Sequence, residues 1–163
     1  MNIRWLSLAR VIKRLWELKE EIKLFLKMKQ KDDQFPQFYD PQCLAGLAFL
    51  VDIMDHLNKL NLTMIRRDAI IHELYFAVNA FEKKLTLFSN QMKERKLQHF
   101  PTLNSLTISV IEAEKYTKKL SDLQSEFSRR FTDFKKIQLE LMILSNPFTV
   151  NVEHVPSNLQ LEL

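Results

Sequence analysis

Residues 71–92 read IHELYFAVNAFEKKLTLFSNQM and carry the most regular apolar pattern in the chain. The apolar side chains recur at intervals of three and four residues, at Ile71, Leu74, Val78, Phe81, Leu85, Phe88 and Met92. On an α-helix, residues three and four apart lie on the same face, so this spacing forms one continuous stripe. The stretch therefore predicts a long helix with one buried face.

A second helix is predicted from residue 8 to about residue 31. Its stripe consists of Val11, Leu15, Leu18, Ile22 and Phe25. The polar run before Pro36 ends it, because a proline disfavours helical backbone at the residue before it. Asp40 and Pro41 then have the residue types of an N-cap and a first helical position. The next helix is expected from there to about Leu60, followed by a short junction at residues 61–63.

Two further stripes complete the predicted architecture. The helix after Pro41 presents Leu44, Leu47, Val51, Met54 and Leu57, and a last helix beginning near Leu103 presents Tyr116, Leu120, Leu123, Phe127, Phe131 and Phe134. Four long helices joined by short connections favour antiparallel neighbours. We therefore predict an all-α fold, an elongated bundle of about four long helices over residues 1–146.

The composition excludes several classes of protein. Gly46 is the single glycine among 163 residues, whereas phosphate-binding loops and dinucleotide-binding turns need several residues without a Cβ. So few turn residues also argue against an all-β fold. The single cysteine, Cys43, cannot form an internal disulfide, which favours an intracellular protein. No apolar run reaches the ~18 residues of a transmembrane helix, so no membrane association is expected.

The residues with reactive side chains do not form a recognised catalytic or metal-binding motif. The four histidines, His56, His72, His99 and His154, lie apart from any metal-ligand spacing. Asp52 and His56 are one helical turn apart, and we interpret them as a solvated pair on a helix surface. Cys43 is interpreted as a small core residue. We predict no metal site and no cofactor.

Charge is concentrated near the start of the chain. Up to Lys31 there are nine basic and three acidic side chains, although the formal net charge of the whole chain is only +4. A basic helix face can meet a phosphate backbone or an acidic partner. Arg10, Lys13 and Arg14 are the candidate residues of this kind within the first helix.

The last residues differ in pattern from the rest. After residue 146 the sequence alternates β-branched and polar residues, reads FTVNVEHV at 148–155, and ends in LQLEL at 159–163. No other segment has the same character, and a strand needs a partner. Residues 147–163 are therefore expected to be the truncated start of a following segment.

Several stretches resemble the hAT superfamily of transposases, in particular the domesticated animal copies in BED-zinc-finger proteins and in general transcription factor II-I repeat-domain proteins. The matching stretches are IRWLS at 3–7, LWELKEEI at 15–22, LAFLVDIMDHLN at 47–58, HFPTL at 99–103, RRFTDFKK at 129–136, NPFTV at 146–150 and LQLEL at 159–163. Their order and spacing cover nearly the whole chain.

The resemblance implies a helical insertion domain of a transposase whose RNase-H-like catalytic domain surrounds it. In that family the arginine and tryptophan matched by Arg4 and Trp5 lie where the insertion begins, and the tryptophan is implicated in handling a DNA end. An indole stacks on an unpaired base while a neighbouring guanidinium contacts phosphate. The catalytic aspartates and glutamate of the family lie outside the matched stretches. The resemblance therefore implies no nuclease activity.

Three functions remain open from the sequence. We expect a non-catalytic, transposase-derived helical module that binds a protein partner, in the nucleus rather than the cytoplasm. The alternative is a sequence-independent DNA-binding module that uses Arg4, Trp5, Arg10, Lys13 and Arg14. A gene fragment without selected function is the third reading. The sequence does not identify the partner or the oligomeric state.

Overall fold

The computed structural model describes residues 3–66, 70–137, 140, 141 and 143, with side chains from Ser7 onward. The α-helices in this part of the chain are α1 (Ile3–Glu17), α2 (Lys19–Met28), α3 (Pro41–Met64), α4 (Ile71–Lys93), α5 (Pro101–Asn104), α6 (Val110–Arg130) and α7 (Thr132–Lys136). Two single 3-10 turns, Asp32–Gln34 and Pro36–Phe38, lie between α2 and α3. These residues contain no strand, and the all-α prediction is confirmed. The predicted segment 147–163 lies outside the described residues.

The predicted first helix is divided in two at Leu18. The backbone of Leu18 leaves the helical region (φ −93°, ψ 8°), yet the hydrogen bonds from Leu18 N–H to Arg14 C=O and from Ile22 N–H to Leu18 C=O continue across it. The predicted stripe is also displaced by one position. Ile12 and Leu26 are the buried apolar residues of α1 and α2, whereas Val11 and Phe25 are 62% and 57% exposed. The face of α1 and α2 that the rest of the chain buries is therefore the one next to the predicted face.

The ends of α3 and α6 are set by local hydrogen bonds. The carboxylate of Asp40 accepts hydrogen bonds from the backbone N–H groups of Gln42 (3.1 Å) and Cys43 (3.2 Å), which confirms the predicted N-cap. The predicted junction at 61–63 is wrong, because α3 continues through it to Met64. The last long helix begins at Val110, not near Leu103.

A capping box marks the start of α6. Ser109 N–H donates to the Glu112 carboxylate (2.8 Å), and Glu112 N–H donates to Ser109 Oγ (3.3 Å). This reciprocal pair satisfies backbone donors at the helix end that have no partner within the helix. The preceding residues form only the short helix α5.

The contacts divide the chain into two compact units. Unit 1 comprises Met1–Lys59 and Phe88–Lys119, and unit 2 comprises Leu60–Leu87 and Leu120–Leu163. The core of unit 1 is aromatic: Phe49 stacks on Tyr116 at 4.7 Å between ring centroids and on Phe100 at 5.7 Å. Phe88 meets Phe100 edge-on at 5.4 Å. Aromatic pairs of this kind stabilise the core beyond the contribution of the apolar area that they bury.

The core of unit 2 lies along α4 and the later part of α6. Tyr75, Val78, Phe81, Leu85 and Leu120 are buried there. Phe81 packs on Phe127 at 5.2 Å, and Phe127 packs on Phe131 at 4.6 Å. The stripe predicted for 71–92 is thus largely buried, although its first residue, Ile71, is exposed. None of the described helices is both long and apolar enough to cross a membrane.

Candidate functional site

Three of the five predicted DNA-contacting residues share an exposed face of α1. Arg10, Lys13 and Arg14 are all exposed and lie three and four positions apart, which places them together on one side of the helix. Arg4 and Trp5 belong to the same helix, but their side chains lie outside the described part of the structure. The structure therefore groups three of the candidates and does not test the other two.

The charge on this face is partly neutralised by its own helix. The Arg14 guanidinium donates to the Glu17 carboxylate at 3.1 Å, and both side chains are exposed (68% and 43%). An exposed pair of this kind contributes about 0–1 kcal/mol. A phosphate group could therefore displace Glu17 at small cost, and Arg14 is available as an anion-binding group.

A second basic cluster, in the stretch 129–136, is occupied by neighbouring carboxylates. Arg129 and Arg130 both donate to Glu126, at 2.8 Å and 2.6 Å. These hydrogen bonds lower the pKa of Glu126 from its ordinary value of 4.5 to about 2. Lys135 and Lys136 each form an ion pair as well. The face of α1 is therefore the better candidate for an anionic partner.

Asp52 and His56 are not a solvated pair, contrary to the sequence interpretation. Asp52 is buried, and its carboxylate accepts hydrogen bonds from the N–H groups of Thr102 (3.1 Å) and Leu103 (2.9 Å) at the start of α5. His56 Nε2 lies 2.8 Å from the carbonyl oxygen of His99 and donates to it, because a carbonyl only accepts. One turn of α3 thus holds the segment that precedes and begins α5.

This contact joins two of the stretches that carry the family resemblance. Asp52 and His56 belong to the stretch 47–58, and their partners belong to the stretch HFPTL at 99–103. Phe100 is a fully buried residue of that second stretch, and Pro101 supplies the first helical position of α5. Both stretches are therefore explained by packing and backbone capping within unit 1.

The remaining reactive side chains are dispersed. Cys43 is exposed rather than in the core, because its position in the first turn of α3 faces outward. His72 meets the edge of Phe76 at 6.4 Å. Among the described residues, no three His, Cys, Asp or Glu side chains are grouped as metal ligands would be. His154 lies outside those residues.

Unit 2 contains a cleft of about 310 Å³ between α4 and the segment 131–135. Tyr75, Val78, Phe131 and the ion pair between Lys135 Nζ and the Glu82 carboxylate (2.8 Å) line it. Burial raises the pKa of Glu82, but hydrogen bonds from Lys135 and from Ser128 outweigh it, so the pKa lies below 4.5. Glu82 is thus an ionised, paired carboxylate. Glu82 and Lys135 are 53 positions apart in the sequence, and no local pattern predicted that they pair.

Around the end of α3 and the start of α4 lie five exposed apolar side chains, a set that we call the apolar turn. It consists of Leu62, Ile65, Ile70, Ile71 and Phe76, which are 44–55% exposed. Sequence reasoning placed Ile71 in a buried stripe and did not identify the others. The sequence feature that could have identified them is the occurrence of large apolar residues on both sides of a short charged connection, where the stripe of α3 ends and that of α4 begins.

A charged pair lies beside the apolar turn. The Arg66 guanidinium donates to the Glu73 carboxylate at 3.1 Å, linking the residues after α3 to the first turn of α4. An apolar centre with polar groups at its margin is the usual composition of a protein-binding surface. The apolar turn is therefore the candidate functional surface of unit 2, as the face of α1 is of unit 1.

Comparison with known proteins identifies the chain's relatives. It is 37% identical over 162 residues to the general transcription factor II-I repeat domain-containing protein 2 of Bos taurus, and 35% identical over 161 residues to that of Mus musculus. These alignments cover 99% of this chain and 17% of each relative, so the chain spans about a sixth of their length. No solved structure matches it.

A family match agrees with these relatives. Residues 1–93 match the family described as the FAM200/GTF2IRD2 helical domain. The matched range contains α1 to α4, and with them the basic face of α1, Asp52 and His56, and the apolar turn. The chain therefore belongs to the FAM200/GTF2IRD2-like helical-domain family.

Proposed function

We propose that the chain is a non-catalytic helical module of hAT-transposase origin that binds a protein partner in the nucleus. The observation that carries the proposal is the apolar turn. Leu62, Ile65, Ile70, Ile71 and Phe76 together expose large apolar side chains within one short stretch of unit 2. Large apolar side chains exposed to water are unfavourable, and several of them in one short stretch commonly mark a protein-binding site.

The chemistry of the surface favours an amphipathic helix as the partner. Leu62 and Ile65 lie three residues apart near the end of α3. A helix that adds its own apolar stripe can pack there as helices pack within a bundle. The names of the relatives, which contain "general transcription factor", support a nuclear location for the partner.

Capture from nuclear extract tests the surface when matched variants are compared. Ile71→Asp places a charge in the apolar turn, and Ile111→Asp places the same charge on an exposed residue of unit 1. Each substitution lies in the first turn of a long helix, where a carboxylate is favourable, so both variants should fold. We expect a partner whose capture falls at least tenfold with Ile71→Asp and is unchanged with Ile111→Asp.

Two results would contradict this function. One is that every captured protein binds both variants equally. The other is that binding of the purified partner decreases steeply with salt, since an apolar interface responds little to ionic strength whereas phosphate-driven binding responds strongly. The second result would favour the alternative function.

The alternative is DNA binding through α1, and the exposed Arg10, Lys13 and Arg14 favour it. Replacing all three by alanine should weaken binding to duplex DNA and should reduce the slope of log affinity against log salt by about 0.9 for each phosphate that is no longer neutralised. The matched control replaces three exposed lysines of α6, Lys115, Lys118 and Lys119. Equal effects of the two triple variants would exclude α1 as the DNA-binding surface.

The absence of catalysis is a separate part of the proposal, and it is supported by the resemblance alone. The stretches matched to the transposases do not include the positions of the family's catalytic carboxylates, which hold two metal ions that activate water. Purified protein is expected to leave supercoiled DNA intact with Mg²⁺ or Mn²⁺. Nicking that persists in a homogeneous preparation would show that the chain is an enzyme.

A further inference from the structure

The 3–4 stripe of α1 and α2 is only partly covered by the chain's own packing. It consists of Leu8, Val11, Leu15, Leu18, Ile22 and Phe25. Leu8, Val11 and Phe25 are 45%, 62% and 57% exposed, and the three central residues are half-buried. The chain packs instead through Ile12 and Leu26, which lie on the adjacent face.

The spacing of this stripe is that of a coiled-coil seam. Its six residues alternate by three and four without interruption, which is the heptad pattern of positions a and d. The stripe of α4 has the same spacing and is covered within the chain, whereas Leu8, Val11 and Phe25 of this stripe remain exposed. Both faces are present here: the chain itself covers one, and the exposed seam is suited to a second helix.

The charges beside the seam indicate which helix covers it. With Leu15 and Ile22 at a positions, Arg14 and Glu21 occupy successive g positions, and both side chains are exposed. When two such helices pack antiparallel, g positions face g positions of the partner and a residues pack on d residues. A second copy of the chain then pairs Arg14 with the partner's Glu21, and Glu21 with the partner's Arg14.

The same register aligns the whole stripe. Leu8 packs on Phe25 of the second copy, Val11 on its Ile22 and Leu15 on its Leu18, so each apolar residue meets another apolar residue. The break between α1 and α2 at Leu18 then lies next to the two-fold axis in both copies. In a parallel pairing a g position faces an e position of the partner helix, so Arg14 would instead meet Lys19 of the second copy, which carries a like charge.

We infer that two copies of this chain associate through antiparallel pairing of their α1–α2 stripes, with reciprocal Arg14 to Glu21 contacts. The surface differs from the apolar turn of unit 2, so the inference does not depend on the proposed function. Arg10 and Lys13 lie away from the seam, at c and f positions, and stay accessible to a ligand.

Charge reversal tests the pairing by sedimentation equilibrium of the 163-residue chain. Arg14→Glu and Glu21→Arg should each weaken the dimer about tenfold, because each change converts two symmetric attractions into repulsions. The double variant should restore the wild-type affinity to within a few-fold. Lys13→Glu, the control at an exposed f position, should have no comparable effect. A chain that stays monomeric at high micromolar concentration would overturn the inference, and so would a dimer that these reversals leave unchanged.

Disulfide trapping tests the direction of the helices. In a Cys43→Ser background, Val11→Cys copies should cross-link to Ile22→Cys copies under mild oxidation and should not cross-link to one another. Cross-linking of Val11→Cys copies to one another would indicate parallel helices and overturn the proposed register. Helix content measured by circular dichroism establishes that every variant is folded.

Discussion

The helix α4 and the α1–α2 stripe have the same apolar spacing and opposite surroundings. On α4, Val78, Phe81, Leu85, Phe88 and Met92 are at most 4% exposed. On α1 and α2, Leu8, Val11 and Phe25 of the stripe with the same spacing are 45–62% exposed. The 3–4 pattern therefore specifies which side chains share a face, because helix geometry alone determines that. It does not specify whether another part of the chain covers the face.

The largest expected effect comes from removing the same side chain from both regions. Phe88→Ala deletes a ring that is 2% exposed and packs on His56, His99 and Phe100. A buried phenylalanine of this kind contributes about 3–5 kcal/mol to the free energy of unfolding. Phe25→Ala deletes a ring that is 57% exposed, and we expect a cost below about 1 kcal/mol.

Denaturant unfolding of both variants at low protein concentration measures the difference. Low concentration separates the effect of Phe25 on folding from its effect on self-association, because a dimer stabilises the folded state by mass action. Similar decreases in the two variants would show that the α1–α2 stripe is covered within the chain, and the comparison between the two regions would fail.

The next largest effect concerns Asp52, which holds the segment that packs on Phe88. Asp52→Ala leaves the N–H groups of Thr102 and Leu103 without their acceptor inside unit 1, which should reduce stability by about 2–3 kcal/mol. Asp55→Ala, three residues along the same helix, removes only an exposed ion pair with Lys59 and should cost less than about 1 kcal/mol. Thermal unfolding distinguishes them. Equal shifts of Tm would mean that Asp52 does not fasten the segment that packs on Phe88.

A smaller effect appears only in alkaline solution. Burial, and secondarily the charge of Glu112, raises the pKa of Tyr116 from 10.0 to about 12. Because the folded pKa is the higher one, the neutral phenol stabilises the fold fully below pH 10, and this contribution is lost as the pH rises from 10 to 12. The loss at pH 11 is about 1.4 kcal/mol, since one pKa unit corresponds to about 1.4 kcal/mol.

Tyr116→Phe isolates this contribution. The variant keeps the ring that stacks on Phe49 and lacks the titrating group, so its stability should decline less between pH 10 and pH 11 than that of the wild-type chain. The difference in phenolate absorbance between the wild-type chain and the variant, followed against pH, gives the pKa of Tyr116 directly. An ordinary tyrosine titration at this position would show that the core of unit 1 is open to water.

Local signals in the sequence predicted most of the fold. The stripe of residues 71–92 identified α4, and Asp40 with Pro41 identified the start of α3. The beginning of α6 at Ser109 and Glu112 could also have been read from the Ser-x-x-Glu pattern of a capping box. These features depend on residues close together in the chain, so spacing and residue type are sufficient.

The missed features depend on residues that are far apart in the chain. The burial of Asp52 arises from α5, about 50 residues later, and no local pattern encodes that meeting. The choice between Ile12 and Val11 as the buried residue depends in the same way on what packs against α1. For the candidate site, the sequence identified Arg10, Lys13 and Arg14 as basic, but the exposure of the apolar turn required the structure.

The smallest effect is expected to be the same in both regions, because it depends on backbone geometry rather than on cover. Two residues after the end of each of α2 and α4 lies a residue with a positive φ, Gln30 (51°) and Arg95 (57°). The residue that follows it donates its N–H to a carbonyl five positions earlier. Glycine adopts this left-handed backbone without the strain that a Cβ introduces. Gln30→Gly and Arg95→Gly should therefore each raise the free energy of unfolding by about 0.5–1 kcal/mol, measured by denaturant unfolding. If the two gains differed strongly, the residues around α2 and α4 would also affect the ends of these helices. The contrast between the two regions would then not be confined to their apolar faces.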